Sequence, residues 1–173
     1  LRLVNAIKKL RFENDFAIEV YTGTHLTDEI KNGIECDFCK IYAPIPQKEV
    51  LEKQKEAYIL LFLEDIDGKG AKVARLSFST KTTDYLSSGR CIFAIGNRHV
   101  APIEYIKDTS CGIVACDDEE IENALKLLVE NPDCMIEYAK ASSKVGIENH
   151  SREKIEQRFF NVLNYVYNKK QEP

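Results

Sequence analysis

Apolar residues along this chain alternate between a helical spacing and short unbroken runs. Residues 1–10 have the helical spacing, with Leu3, Ile7 and Leu10 on one face. The most apolar run, residues 58–63, contains no polar alternation, which is typical of a strand covered on both faces of a parallel sheet. Further strands are predicted at residues 17–21, 36–42, 91–95 and 111–115, with helices between them. This alternation predicts an α/β fold of the Rossmann-like type, three layers α/β/α around a mostly parallel sheet.

The last long helical pattern covers residues 150–170. Its apolar side chains recur on one side of the helix, and we interpret that stripe as packed into the core; it consists of Ile155, Phe159, Phe160, Leu163 and Val166. The chain contains no internal repeat or low-complexity linker. Residues 1–173 are therefore expected to form a single domain that ends in this helix.

Composition and charge narrow the function classes. The 173 residues have an average globular composition and a net charge of −4, which does not favour nucleic acid as a partner. No apolar run is long enough to span a membrane. The six cysteines lie in apolar segments, as reduced cysteines do, so we predict a cytoplasmic protein. Cys36 and Cys39 have the spacing of a zinc or redox pair, but no second such pair exists, and no metal is expected.

One segment carries candidate chemistry. Ser79 and Thr80 can each cap a helix that Gly89 would end, and a buried strand follows. Lys81 falls in the first helical turn, where the helix dipole favours anions. Free amides, hydroxyls and an ammonium at a helix N-terminus form a phosphate site. The alternative is a capped surface helix whose lysine extends into solvent.

The same segment resembles a known signature. Residues 79–92 are similar to the S/P-T/S-K-x-x-E-Y-L-A-A-G-K/R-P-V/I motif of GT-B glycosyltransferases, in particular the retaining, sugar-nucleotide-dependent enzymes of family 4. Residues 104–114 and 119–128 resemble the family's next two elements, and residues 17–23 and 42–46 resemble two earlier ones. The resemblance therefore covers most of the chain.

The resemblance implies a donor site. Ser79, Thr80 and Lys81 would hold the diphosphate of a nucleoside-diphosphate sugar, and Asp84 would accept hydrogen bonds from the ribose. The base would lie at the loop of Pro44 and Ile45. The implied donor-binding residues are Ser77, Phe78, Ser79, Thr80, Lys81, Asp84, Pro44 and Ile45, with Arg98 and His99 as further candidates for phosphate and sugar. No cofactor and no metal is implied, and the catalytic residues stay unassigned.

Two positions depart from the signature. The family has Glu where this chain has Asp84, which shortens the reach to the ribose by one methylene, and a sugar-contacting Glu where this chain has Leu76.

The resemblance also implies that part of the enzyme is missing. The chain opens inside the family's first helix, so we expect the first strand and the N-terminal acceptor domain to be absent. The expectation is a fragment that is inactive alone, whose partners are the nucleotide-sugar donor and that missing domain. Peripheral membrane contact of the full enzyme is compatible with the sequence. Two alternatives stay open: a non-catalytic nucleotide- or effector-binding α/β module, and a protein-interaction domain without a ligand.

Overall fold

The computed structural model describes residues 1–67 and 75–169. Within these residues, helices and strands alternate, and the elements in chain order are α1 Arg2–Leu10, β1 Ile18–Tyr21, α2 Asp28–Ile34, β2 Cys39–Tyr42, α3 Gln47–Glu56, β3 Ile59–Leu63, α4 Thr80–Ser88, β4 Cys91–Ile95, α5 Ala101–Asp108, β5 Ile113–Ala115, α6 Asp118–Glu130, α7 Cys134–His150 and α8 Arg152–Lys169. The alternation confirms the predicted α/β class.

All the described strand pairs are parallel, and they form two separately paired sheets. β1 pairs with β2, Ile18 lying opposite Cys39. The second sheet has the order β3-β4-β5, in which Ile59 lies opposite Cys91 and Phe93 opposite Ile113. Parallel neighbours require crossover connections, and helices supply them here.

Strand β4 divides the core into two layers. Alternate residues of a strand point to opposite faces, and every residue of β4 is buried. Phe93 and Ile95 pack on the side of α1 and α6. Ile92 and Ala94 pack on the side of α4 and α5. This is the predicted α/β/α arrangement, with a helix layer on each face of the sheet.

Two boundaries differ from the sequence prediction because turns intervene. The amide of Cys36 donates to the carbonyl of Cys39 at 2.9 Å, and the amide of Cys39 donates back at 3.2 Å. These bonds close a tight turn, so β2 begins at Cys39 and not at residue 36. β5 begins at Ile113 because Ser110, at φ 51°, turns the chain just before it.

The burial predicted for β3 is only partly correct. Leu60 and Phe62 are buried, but Leu63 is 61% exposed and Tyr58, just before the strand, is 80% exposed. In the described part of the structure β3 is the end strand of its sheet, with β4 as its one neighbour. The predicted cover is therefore complete for Leu60 and Phe62, partial for Ile59 and Leu61, and fails at Leu63.

The core stripe predicted for the last helix is also wrong. α8 contains no buried residue, and its apolar side chains are all exposed: Ile155, Phe159, Phe160, Val162, Leu163, Tyr165, Val166 and Tyr167. Its amphipathic pattern is real, but nothing in the described part of the chain covers it.

Two further predictions concern residues 64–77 and the C-terminal tail, each of which lies partly outside the described residues. The sequence predicts an irregular stretch over residues 64–77, of which 68–74 lie outside the described residues. It also predicts a loose tail over residues 169–173, of which 170–173 lie outside them, while Lys169 is the last residue of α8. Among the described helices, none combines the length and the apolar character that a membrane span requires.

Candidate functional site

The N-terminus of α4 is built as its sequence predicts. Ser79 is the N-cap, with extended backbone, and its hydroxyl oxygen accepts a hydrogen bond from the amide of Lys81 at 3.3 Å. Thr80 is the first helical residue and does not cap. Gly89 ends the helix in the left-handed conformation, at φ 63°, which glycine adopts without steric cost. Hydroxyl capping at one end and a glycine at the other therefore fix the length of this helix.

The position of α4 follows from the β3-α4-β4 connection. Because the helix returns antiparallel to two parallel strands, its N-terminus lies at the edge where those strands end. The chain after β3 and the chain after β4 meet there, since the amide of Asn97 donates to the carbonyl of Asp65 at 3.3 Å. The amide of Ala101, the first residue of α5, donates to the carbonyl of Arg75 at 3.0 Å. The segment entering α4 is thus tied to the N-terminus of α5 at the same edge.

The first turns of α4 divide sharply into an inner and an outer side. Thr82 and Leu86 are fully buried against the core. Thr80, Lys81 and Asp84 are exposed, as are Ser77 and Phe78 just before the helix. Thr80 and Asp84 are four residues apart and so lie on one face. The hydroxyl, the ammonium and the carboxylate are therefore open to solvent, and no described side chain seals the spot.

A cluster of three rings borders this helix start. The Phe78 ring meets the Tyr105 ring edge-to-face at 5.3 Å and stacks on His150 at 5.9 Å. The Tyr105 hydroxyl lies 2.8 Å from Nε2 of His150 and accepts from Nδ2 of Asn149 at 3.2 Å. Burial, and secondarily the charge of Arg158, lower the pKa of His150 below its ordinary value of 6.5. The position of His150 near a helix start predicts a surface or capping residue, and no local pattern in the sequence indicates a partner 45 positions away.

Not every implied donor-binding residue lies at the N-terminus of α4. Arg98 faces the acidic first turn of α6, its guanidinium lying 4.0 Å from Asp117 and 3.8 Å from Glu120. His99 is exposed, and its amide donates to Oδ1 of Asn97 at 3.0 Å. Both follow the carboxyl end of β4, but their described contacts leave them outside the Ser79–Lys81 group.

Pro44 and Ile45 follow the carboxyl end of β2, in the other sheet. Pro44 lies against Gly23, where an added Cβ would be 3.5 Å from its ring. The rings of Tyr21 and Tyr42 stack beside this loop at 5.1 Å. An open groove of about 330 Å³ adjoins it, lined in part by polar and ionisable side chains: Thr22, Thr24, His25, Lys31, Glu35 and Tyr42. No described contact links this loop to α4.

The ionisable residues of the site do not form a metal centre. Across residues 1–67 and 75–169, no group of three His, Cys, Asp or Glu side chains is placed to hold an ion. All six cysteines are free thiols, and burial raises the pKa of Cys91 to about 12. The start of α4 presents amides, hydroxyls and one ammonium, which are groups that bind anions in other proteins.

Neither a protein-family model nor a curated protein sequence matches this chain.

Proposed function

We propose that this chain is the donor-binding domain of a glycosyltransferase and that the N-terminus of α4 binds the diphosphate of a nucleotide sugar. The observation that supports the proposal is the open helix start itself. Ser79, Thr80 and Lys81 lie together at the carboxyl edge of a parallel sheet, where ligands of such folds bind, and Lys81 is exposed with no carboxylate among its described ion-pair contacts.

The chemistry of the site fits a diphosphate leaving group. The positive end of the helix dipole and the Lys81 ammonium would both act on the negative charge that develops as the glycosidic bond breaks. Asp84, one turn along the same face, is placed to accept hydrogen bonds from a ribose. In this proposal no metal is needed, because the amides and the ammonium neutralise the diphosphate.

The acceptor would bind to a second domain that is not part of this chain. Transfer would then need both domains, and the chain alone would bind donor without turning it over. We propose that the enzyme works in the cytoplasm, where nucleotide sugars are present and cysteines are kept reduced.

Calorimetry with UDP, GDP and ADP tests the proposal. Lys81→Ala should weaken binding of the preferred nucleotide by about 1.5–3 kcal/mol, the worth of a hydrogen bond to a charged group, which is roughly 10- to 150-fold in Kd. Lys126→Ala is the matched control, because Lys126 is an exposed helical lysine on α6, on the opposite face of the sheet. Both variants should melt like the parent chain. Equal affinity of the parent and Lys81→Ala would remove Lys81 from the site, and no binding of any of the three nucleotides would refute the proposal.

A non-catalytic nucleotide- or effector-binding module is the second candidate. The observation that favours it is Leu76, which is 90% exposed at the position where the resemblance implies a sugar-contacting Glu. Such a module would bind the nucleoside diphosphate as tightly as its sugar conjugate. Tighter binding of a nucleotide sugar than of its nucleotide would favour the transferase.

A further inference from the structure

The ring cluster of Phe78, Tyr105 and His150 joins three segments that are far apart in the chain. Phe78 directly precedes the N-cap of α4, Tyr105 belongs to α5, and His150 is the last residue of α7. The three ring centroids lie 5.3–5.9 Å apart. Each ring therefore contacts both of the others, and none of the three can move without disturbing its neighbours.

The hydrogen bonds of the cluster fit a neutral His150. Nδ2 of Asn149 can only donate, so its bond occupies an acceptor site of the Tyr105 oxygen. The phenolic hydrogen is then free to be donated to Nε2 of His150, 2.8 Å away. That donation requires a neutral imidazole whose own proton is on Nδ1. A protonated His150 would donate instead, and the Tyr105 hydrogen would lose its partner.

The cluster has a direct connection to the start of α4. Phe78 is covalently next to Ser79, whose hydroxyl and carbonyl accept from the amides of Lys81 and Thr82. The same segment is held at its other end by the bond from Ala101 to Arg75. Two attachments to α5 thus fix the direction in which the chain enters α4.

We propose that His150 is a positioning residue for the N-terminus of α4: when neutral it accepts from Tyr105 and holds Tyr105 and Phe78 in place, and when protonated it reverses that hydrogen bond and shifts the segment that carries Ser79. The consequence for ligand binding rests on the proposed donor site. The coupling between the His150 proton and the backbone of residues 78–81 does not.

The surroundings of His150 favour the neutral form. α8 contributes the Arg158 guanidinium, which donates at 3.4 Å to the backbone and to the side-chain oxygen of Asn149. α5 contributes a neutral phenol, and the segment before α4 contributes the uncharged ring of Phe78. Burial and Arg158 both lower the pKa of His150. Its contribution to stability is therefore complete above about pH 6.5 and is lost as the pH falls through the lower pKa of the folded state.

Heteronuclear NMR on the ¹⁵N-labelled chain tests the coupling between pH 7.5 and 5. The amide resonances of residues 78–81 should shift with the same midpoint as the His150 ring, and that midpoint should lie below 6.5. The amides that open α6, at residues 118–120, lie in a different helix start and should not follow it. Amides at 78–81 that do not respond to the His150 titration would overturn the proposal.

Two variants distinguish a positioning role of the His150 imidazole from a role of its ring in packing alone. His150→Phe keeps a ring in the stack and should abolish the pH response at residues 78–81. Tyr105→Phe keeps both other rings but removes the hydroxyl, so it should raise the pKa of His150 and reduce the response. His25→Gln is the matched control, because His25 bonds only to the adjacent carbonyl of Leu26 among its described contacts, and it should change nothing. A full response in His150→Phe would refute the proposal.

A binding arm distinguishes this inference from the proposed function. With UDP as the probe, Kd should rise more between pH 7.5 and 5.5 in the parent chain than in His150→Phe, by about threefold or more. An equal change in both would overturn the link to the site. If UDP binds at neither pH while the amides still titrate with His150, the donor site is refuted and the proton coupling stands.

Discussion

Gly112 is the position where the packing of β5 can be tested most directly. A Cβ added there would lie 2.7 Å from the backbone oxygen of Ile92, 2.9 Å from Cγ2 of Ile106 and 3.1 Å from Cβ of Ile92. Contacts under 3.0 Å do not occur for real Cβ atoms, and here one partner is backbone of the buried strand β4, which cannot rotate away. Gly112→Ala therefore forces β5, β4 and α5 apart.

The size of the effect follows from two opposing contributions. Overpacking a tight core by a methyl group costs about 1–3 kcal/mol. Replacing glycine by alanine also lowers the conformational entropy of the unfolded chain, which by itself raises the free energy of unfolding by about 0.4–1 kcal/mol. We expect a net loss of about 1–2 kcal/mol in the free energy of unfolding, and a fall in Tm of about 2–8 °C for a chain of this length.

Urea denaturation followed by circular dichroism measures the difference, with Gly23→Ala as the matched control. A Cβ at Gly23 would meet only the ring of Pro44, at 3.5 Å, which is ordinary contact. That variant should be neutral or slightly more stable. Gly112→Ala as stable as Gly23→Ala would show that β5 does not approach β4 and α5 as closely as the structure has it.

Two further predictions concern buried polar groups. Among the described residues, the buried hydroxyl of Thr82 has no hydrogen-bond partner, so Thr82→Val should raise the free energy of unfolding by about 1 kcal/mol. Thr83→Val is the control, because it removes a 2.7 Å hydrogen bond to the carbonyl of Thr80 and should not stabilise the fold. A loss of stability in Thr82→Val would show that the Thr82 hydroxyl has a hydrogen-bond partner. Iodoacetamide at pH 8 should alkylate Cys36 first, as peptide mass mapping would show, because Cys36 is the one partly exposed thiol of the six. Cys91, whose pKa burial raises to about 12, should react only on unfolding, and early labelling of Cys91 would contradict its burial.

The features that the sequence predicted correctly depend on a few neighbouring residues. A serine before a helical pattern caps it, a glycine after it adopts the left-handed conformation, and an unbroken apolar run such as residues 91–95 forms a buried strand. Each signal lies within one or two turns of the element it controls. That is why the element order and the α/β class could be predicted from pattern alone.

The incorrect predictions share a different property. Apolar periodicity shows that a face exists, but it does not show what covers it. α8 has the pattern of a core helix and is exposed along its length in the described structure, and the apolar strand β3 leaves Leu63 exposed.

The amino-acid sequence by itself determined the type and order of the helices and strands, and that one helix opens with Ser79, Thr80 and Lys81. Only the tertiary structure decided that this helix N-terminus faces solvent and which aromatic rings lie beside it. The bond between Tyr105 and His150 joins residues 45 positions apart. Capping and periodicity act over a few residues, whereas a contact at that separation exists only after the layers on both sides of β4 have packed.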